Sequence, residues 1–316
     1  MGPQEVKNIA EPVHTYAVRP NTGGLEPDQG AVTHRKVEQE VRFCTAPDGT
    51  GLAYATVGEG PPIVKTANFL SHLEFEWESP VWRHLLRELS REHSLTRYDE
   101  RGAGLSDRRI DDLTTEAHVG DLEAVVDAVA HPKFDLFAVS QGCSVAIAYA
   151  VRHPERVSRL VLFGGFAEGW KISASPRTVK NMEAMVTLIR EGWGQATPAF
   201  RQMVTALFLP DGSSEHLDWF NELERISTSP ENAARMFEEN GNVDVTDLLP
   251  LVAVPTLVLH SRGDAIASHK AGRELATKIP GARFVSLESK NHLILEHEPA
   301  WPRFRDEIRA FLAEGD

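Results

Sequence analysis

Two apolar periods alternate along the chain from residue 41 onward. Short continuous apolar runs bounded by Gly, Pro, Asp and Asn predict strands at 41–46, 51–57, 62–67, 94–99, 134–139, 157–163, 256–260 and 283–287. Between them, apolar positions recur three and four apart. Val119, Leu122, Val125, Val126 and Val129 mark one such buried helical stripe. Residues 81–89, 145–153, 270–278 and 304–312 repeat the pattern. Strands alternating with helices predict an α/β fold, a mostly parallel eight-stranded sheet with helices on both faces. Pro47-Asp48-Gly49, between the first two runs, is a hairpin-type turn, so the sheet is expected to begin antiparallel.

The alternation breaks over 166–249, where helical stretches at 178–191, 198–207, 215–222 and 232–240 follow one another with no convincing strand. The segment is rich in aromatics and Met, among them Trp170, Met203, Phe208, Trp219 and Phe220. It reads as a helical cap with its own small core, part of whose surface lines a substrate pocket from above. The core domain is then 41–165 and 250–316. Residues 1–40, rich in Pro, Gly, Glu and Gln without an apolar period, read as a linker or arm.

Composition narrows the partners. The 316 residues carry 33 Lys and Arg against 46 Asp and Glu, a net charge of -13. That excess argues against nucleic acid or an anionic membrane, whose phosphates need a basic face. No stretch is long and apolar enough to span a bilayer, and the N-terminus lacks the apolar core of a signal peptide. Cys44 and Cys143 are far apart and form no CxxC pair or Cys/His cluster, which leaves neither a zinc site nor a disulfide framework indicated. A cytoplasmic protein is expected.

Asp135-Leu-Phe-Ala-Val-Ser140-Gln141-Gly142 runs from an apolar strand into an apolar helix, with Ser140 at the turn between small residues, Ala138 and Gly142. This is the nucleophile-elbow pattern, in which a strained backbone lifts the hydroxyl clear of the sheet edge. The competing reading is a serine that caps a helix. A hydroxyl nucleophile needs a base, and the base an orienting acid, following in the order Ser, Asp or Glu, His. His292, between the last predicted strand and the last helix, is the expected base, with His297 as competitor. Asp264, in the loop after the strand at 256–260, is the expected acid. Glu168 is its rival, and Asp244 and Asp247 are weaker ones that suit helix capping.

These blocks, in this order, resemble the α/β-hydrolase superfamily over residues 41–312. They are Arg97-Tyr-Asp-Glu-Arg-Gly-Ala-Gly-Leu-Ser-Asp107, the elbow at Ser140, the strand and loop reaching Asp264, and Asn291-His292. More narrowly, Gly58-Glu-Gly-Pro-Pro-Ile and His72-Leu-Glu-Phe-Glu-Trp-Glu-Ser-Pro-Val-Trp82 resemble hydrolase domains fused to bacterial cyclases or transcriptional regulators. Residues 4–18 resemble the closing segment of a class III cyclase domain.

The resemblance implies an acyl-serine esterase with Ser140, Asp264 and His292 as its triad. Two N–H donors must meet the oxyanion. Gln141 supplies one, and Phe69 the other, since Ala67 and Asn68 stand where many relatives carry His-Gly. Asn68 adopts a positive φ more readily than most residues, which makes it an acceptable replacement. Asn68, Trp170 and Met203 are the expected substrate-binding residues, for a small or medium uncharged ester. Such chemistry needs no cofactor or metal. Within the Arg97–Asp107 block, Gly102-x-Gly104 lacks the third Gly of a dinucleotide site, so Asp99 and Arg101 are expected to brace loops. Cys143 reads as a small packing residue. An Asp nucleophile would be expected for epoxide or haloalkane hydrolysis, and Ser140 disfavours both. Acyltransfer, perhydrolysis, carbon–carbon hydrolysis on the same triad, and a hydrolase-fold ligand sensor stay open as alternatives. A homodimer, and a fused or associated cyclase or regulator domain, are the protein partners this reading admits.

Overall fold

The computed structural model describes residues 3–4, 13–14, 39–195 and 198–314. The chain divides into two units, Met1–Val37 and Glu38–Asp316. In the first, Pro3–Gln4 pairs antiparallel with Val13–His14. The cyclase-like resemblance of 4–18 otherwise lies outside the described residues, as does most of the arm.

The second unit holds an eight-stranded sheet. Its strands are β1 (Glu40–Thr45), β2 (Gly51–Val57), β3 (Pro62–Lys65), β4 (Ser94–Tyr98), β5 (Phe134–Val139), β6 (Val157–Phe163), β7 (Thr256–Ser261) and β8 (Arg283–Leu287). They lie in the order β8-β7-β6-β5-β3-β4-β2-β1. Only β2 runs against its neighbours, with Glu40 opposite Thr56 and Tyr54 opposite Tyr98. All other pairings are parallel. The expected antiparallel start is present.

Parallel strands covered on both faces lose the polar alternation. Every residue of β5 is buried. Phe137 and Val139 pack with α2 (Arg83–Leu89) and α11 (Ala300–Leu312). Leu136 and Ala138 pack instead with α3 (Thr115–Val129) and α4 (Gly142–Arg152). The helix α10 (His269–Lys278) joins α3 and α4 through Leu275.

Two short elements carry too few residues to show a period. These are α1 (Leu73–Trp77), capped by His72, and α5 (Trp170–Ser173). A 3-10 turn at Thr246–Leu251 accommodates Pro250. The insert between β6 and β7 is helical as expected: α5, then α6 (Pro176–Gly192), α7 (Pro198–Phe208), α8 (Ser214–Ser227) and α9 (Pro230–Glu239). Its apolar side is continuous with the sheet's core. Ile189, Phe208, Phe220 and Met236 share one cluster with Phe69, Trp82 and Val139. No described helix is long and apolar enough to cross a membrane.

The Arg97–Asp107 block is structural. Arg101 is buried and donates Nε to Asp121 Oδ2 (2.7 Å) and Nη1 to Asp48 Oδ2 (2.7 Å). Asp99 accepts from the Leu105 N–H at 2.8 Å. A side chain at Gly104, whose φ is +54°, would stand 2.1 Å from that carboxylate.

Candidate active site

Ser140 follows β5 directly and has φ +57°, a left-handed conformation that costs a non-glycine residue about 1–2 kcal/mol. Its N–H donates to Phe163 O at 2.9 Å, so the β5–β6 ladder itself holds the strained residue. Two residues on, a Cβ at Gly142 would lie 2.5 Å from Thr66 Oγ1 and 2.6 Å from Ala67 O. The small residue there is required by the approach of the loop after β3. Gly164, at the end of β6 with φ +62°, is a further constraint, since a Cβ on it would meet His292 Cε1 at 3.1 Å.

The loop after β7 brings Asp264 to His292, which follows β8. His292 Nδ1–H donates to Asp264 Oδ2 at 2.7 Å, and both side chains are fully buried. Asp264 Oδ1 accepts from the N–H groups of Ile266 (2.8 Å) and Ala267 (3.1 Å). Burial pushes the Asp264 carboxyl up, but the charge and hydrogen bond of His292 outweigh this and hold it below the usual range. His260 stands beside the pair, 3.6 Å from Asp264 Oδ2, and its Nε2–H donates to Ala267 O at 2.8 Å. Burial lowers the His260 pKa, opposed in part by its bond to Ala267 O and by the Asp264 carboxylate.

With Nδ1 donating to a carboxylate, His292 Nε2 is left as the basic nitrogen. It is buried and has no hydrogen-bond partner among the described residues. Ser140 and His292 line one cavity with Phe69, Trp82, Phe208 and Phe220. That cavity is about 10 Å³, room for about one water. Phe208 also reaches the site through its backbone, accepting from the His292 N–H at 2.8 Å.

The loop after β3 forms the opposite wall. Phe69 and Gln141 are buried, and among the described residues neither backbone N–H has a hydrogen-bond partner. The positive φ expected at Asn68 falls instead on Leu70, at +63°. Asn68 contributes through its side chain. Its Oδ1 accepts from Lys65 Nζ and its Nδ2 donates to Phe69 O, and the chain turns two residues later.

Of the expected substrate-binding residues, Asn68 lines the cavity, whereas Trp170 and Met203 are not among its lining residues. The Trp170 indole N–H donates to Phe237 O at 3.3 Å, which spends it inside the insert. Trp82, Phe208 and Phe220 form the wall, although only the last two stand among the aromatics of the insert. Glu168 bridges to Asp244 and accepts from Thr246 Oγ1 at 3.2 Å. Asp244 and Asp247 are exposed, and Asp244 caps the Thr246 N–H. His297 is exposed and packs on His216. Cys143 is buried in α4, and burial raises its thiol pKa.

A family model of the α/β-hydrolase fold matches residues 75–299. Pyrrolizixenacetamide deacetylase of Xenorhabdus hominickii is 26% identical over 269 residues, 84% of this chain and 96% of the relative. A 2-hydroxymuconate semialdehyde hydrolase of Pseudomonas putida is 32% identical over 231 residues, 69% of this chain and 76% of its own. Among solved structures, a thermophilic esterase from Thermogutta terrifontis aligns with a TM-score of 0.68 and 26% identity, over 86% of this chain and 98% of that one. The matched span covers the elbow, the loop of Asp264 and His292, and the chain belongs to the α/β-hydrolase fold family.

Proposed function

We propose that the protein is a serine carboxylesterase acting on small or medium uncharged carboxylic esters. Ser140 Oγ attacks the ester carbonyl carbon while His292 Nε2 takes its proton, and Asp264 holds the imidazole in the required tautomer. The oxyanion is met by the N–H groups of Gln141 and Phe69. Collapse releases the alcohol, which takes the proton from His292. Water then attacks the acyl-serine with His292 again as base, giving the carboxylic acid and free Ser140.

One observation carries the reading. His292 is held through Nδ1 by a buried carboxylate at 2.7 Å, while its Nε2 is buried without a partner among the described residues, in a ring that lines the Ser140 cavity. The aromatic walls of that cavity favour an uncharged acyl group. The relative named as a semialdehyde hydrolase favours a second reading, carbon–carbon hydrolysis on the same three residues.

The test is turnover of p-nitrophenyl esters from acetate to octanoate, with Ser140→Ala as control. Esterase action predicts turnover on several esters, abolished by the substitution. Turnover no faster than that of Ser140→Ala would overturn it, and efficient cleavage of a vinylogous diketone alone would favour the second reading.

A further inference from the structure

The loop that faces Ser140 across the cavity, residues 65–71, contains no glycine. Something other than glycine's freedom must shape it. Lys65, the last residue of β3, is buried, and its Nζ donates to Asn68 Oδ1 (2.5 Å) and to Thr66 O (3.3 Å). The same ammonium lies 4.9 Å from the centroid of the Trp82 ring, a cation–π contact. Asn68 and Trp82 both line the Ser140 cavity.

Lysine only donates, so it fixes which way the Asn68 amide faces. With Oδ1 turned to Lys65, Nδ2 donates to Phe69 O at 3.1 Å. The ring closed by that bond contains the 68–69 peptide, whose N–H is the Phe69 oxyanion donor. Charged neighbours surround the ammonium: Glu76 on α1, Arg97 on β4, and Asp99 and Glu100 just after it. Glu76 is itself tied to Arg97 at 2.7 Å. Burial pushes Lys65 down to about 8, with Arg97 acting in the same direction and the three carboxylates opposing. An apolar residue at 65 would avoid that desolvation, but it would leave Asn68 Oδ1 and the Thr66 carbonyl unpaired.

We propose that Lys65 is a positioning residue for the oxyanion hole, acting through Asn68 on the 68–69 peptide and through its ring contact on Trp82. The inference rests on the acyl-serine reading above. It assigns to a buried ammonium the loop-shaping role that glycine would otherwise fill.

The test uses Lys65→Met, Asn68→Leu and the double variant of the full chain. Active sites are counted from the burst with diethyl p-nitrophenyl phosphate, and kcat and KM are measured on p-nitrophenyl butyrate. Counting sites separates misfolding, which lowers their number, from mispositioning, which lowers turnover at each. Lys65→Met is expected to lower kcat per titrated site by about 10²-fold, with KM changed less than about threefold. The double variant should be no slower than the slower single one, because both act on one peptide. Lys65→Gln, which keeps a donor for Asn68, should regain part of the loss. Wild-type kcat per site in Lys65→Met, or losses that multiply in the double variant, would overturn the role of Lys65 alone. Absence of wild-type turnover on any ester would overturn both this role and the esterase reading. Should Lys65→Met yield no folded protein, Asn68→Leu carries the test, and unchanged kcat per site in it would refute the proposal.

Discussion

Asp264→Asn is the sharpest single perturbation of the site. The carboxylate divides its partners between its oxygens: Oδ2 takes His292 Nδ1–H at 2.7 Å, and Oδ1 takes two loop N–H groups at 2.8 and 3.1 Å. An amide has only one oxygen. If it stays on the two loop N–H groups, the NH2 faces His292, Nδ1 must accept, and the proton moves to Nε2. The base is then lost. If the amide turns over, its NH2 meets two N–H donors, leaving buried donors unpaired at about 1–3 kcal/mol each. The first orientation wins. A triad base trapped in the wrong tautomer loses about 10⁴-fold in kcat, while KM changes little because Asp264 is outside the cavity lining. Losing a hydrogen bond to a charged group also costs about 1.5–3 kcal/mol of stability. The lowered Asp264 pKa contributes stability present above its unfolded value of 3.8 and lost as pH falls below it, so the variant's deficit narrows in acid. The assay is kcat on p-nitrophenyl acetate at pH 7.5, beside urea melts at neutral and acid pH. Glu168→Gln is the comparison, since Glu168 is engaged with Thr246 and bridged to Asp244, and its kcat should stay within about twofold of wild type. An Asp264→Asn enzyme within about tenfold of wild type, or a larger loss in Glu168→Gln, would refute the reasoning.

Three further predictions concern the frame around the site. Gly142→Ala forces a methyl to within 2.5 Å of Thr66 Oγ1 and 2.6 Å of the Ala67 carbonyl, so it should cost about 1–3 kcal/mol in urea melts and lower kcat by displacing the oxyanion loop. Arg101→Met strands the fully buried Asp121 and should cost about 3–5 kcal/mol, while turnover per folded molecule stays at the wild-type level. Burial lowers the His84 pKa from 6.5 to about 4, partly opposed by its bond to Ile294 O. The unfolded chain therefore binds this proton first as pH falls, and the native state loses about 2 kcal/mol from this group between pH 7 and 5. Urea midpoints of wild type and His84→Phe at the two pH values should show that difference flattened in the variant.

The sheet was legible because its strands carry continuous apolar runs that stop at polar or turn residues. Phe134–Val139 and Val157–Phe163 have the same limits in the pattern and in the structure. The helix after Ser140 begins at Gly142 rather than at 145, because Gln141 enters it in helical conformation without a side-chain cap to announce the start. The hydroxyl, carboxylate and imidazole were legible as residue types in a fixed order on the loops after β5, β7 and β8. The cavity wall was not. Periodicity identifies the buried side of a helix but not which neighbour it meets, so Trp170 and Met203 looked equivalent to Phe208 and Phe220. Trp82 lies just before α2, outside the aromatic-rich insert where the cavity wall was sought. The anchoring of Asn68 by Lys65 was equally hidden, since a single Lys closing a strand gives no pattern to read.

Fluorophosphonate modification followed by peptide mass spectrometry tests the central claim most directly. The account predicts one stoichiometric adduct, on Ser140, formed by the wild type and absent from Ser140→Ala. An adduct on another residue, or labelling that persists undiminished in Ser140→Ala, would contradict it.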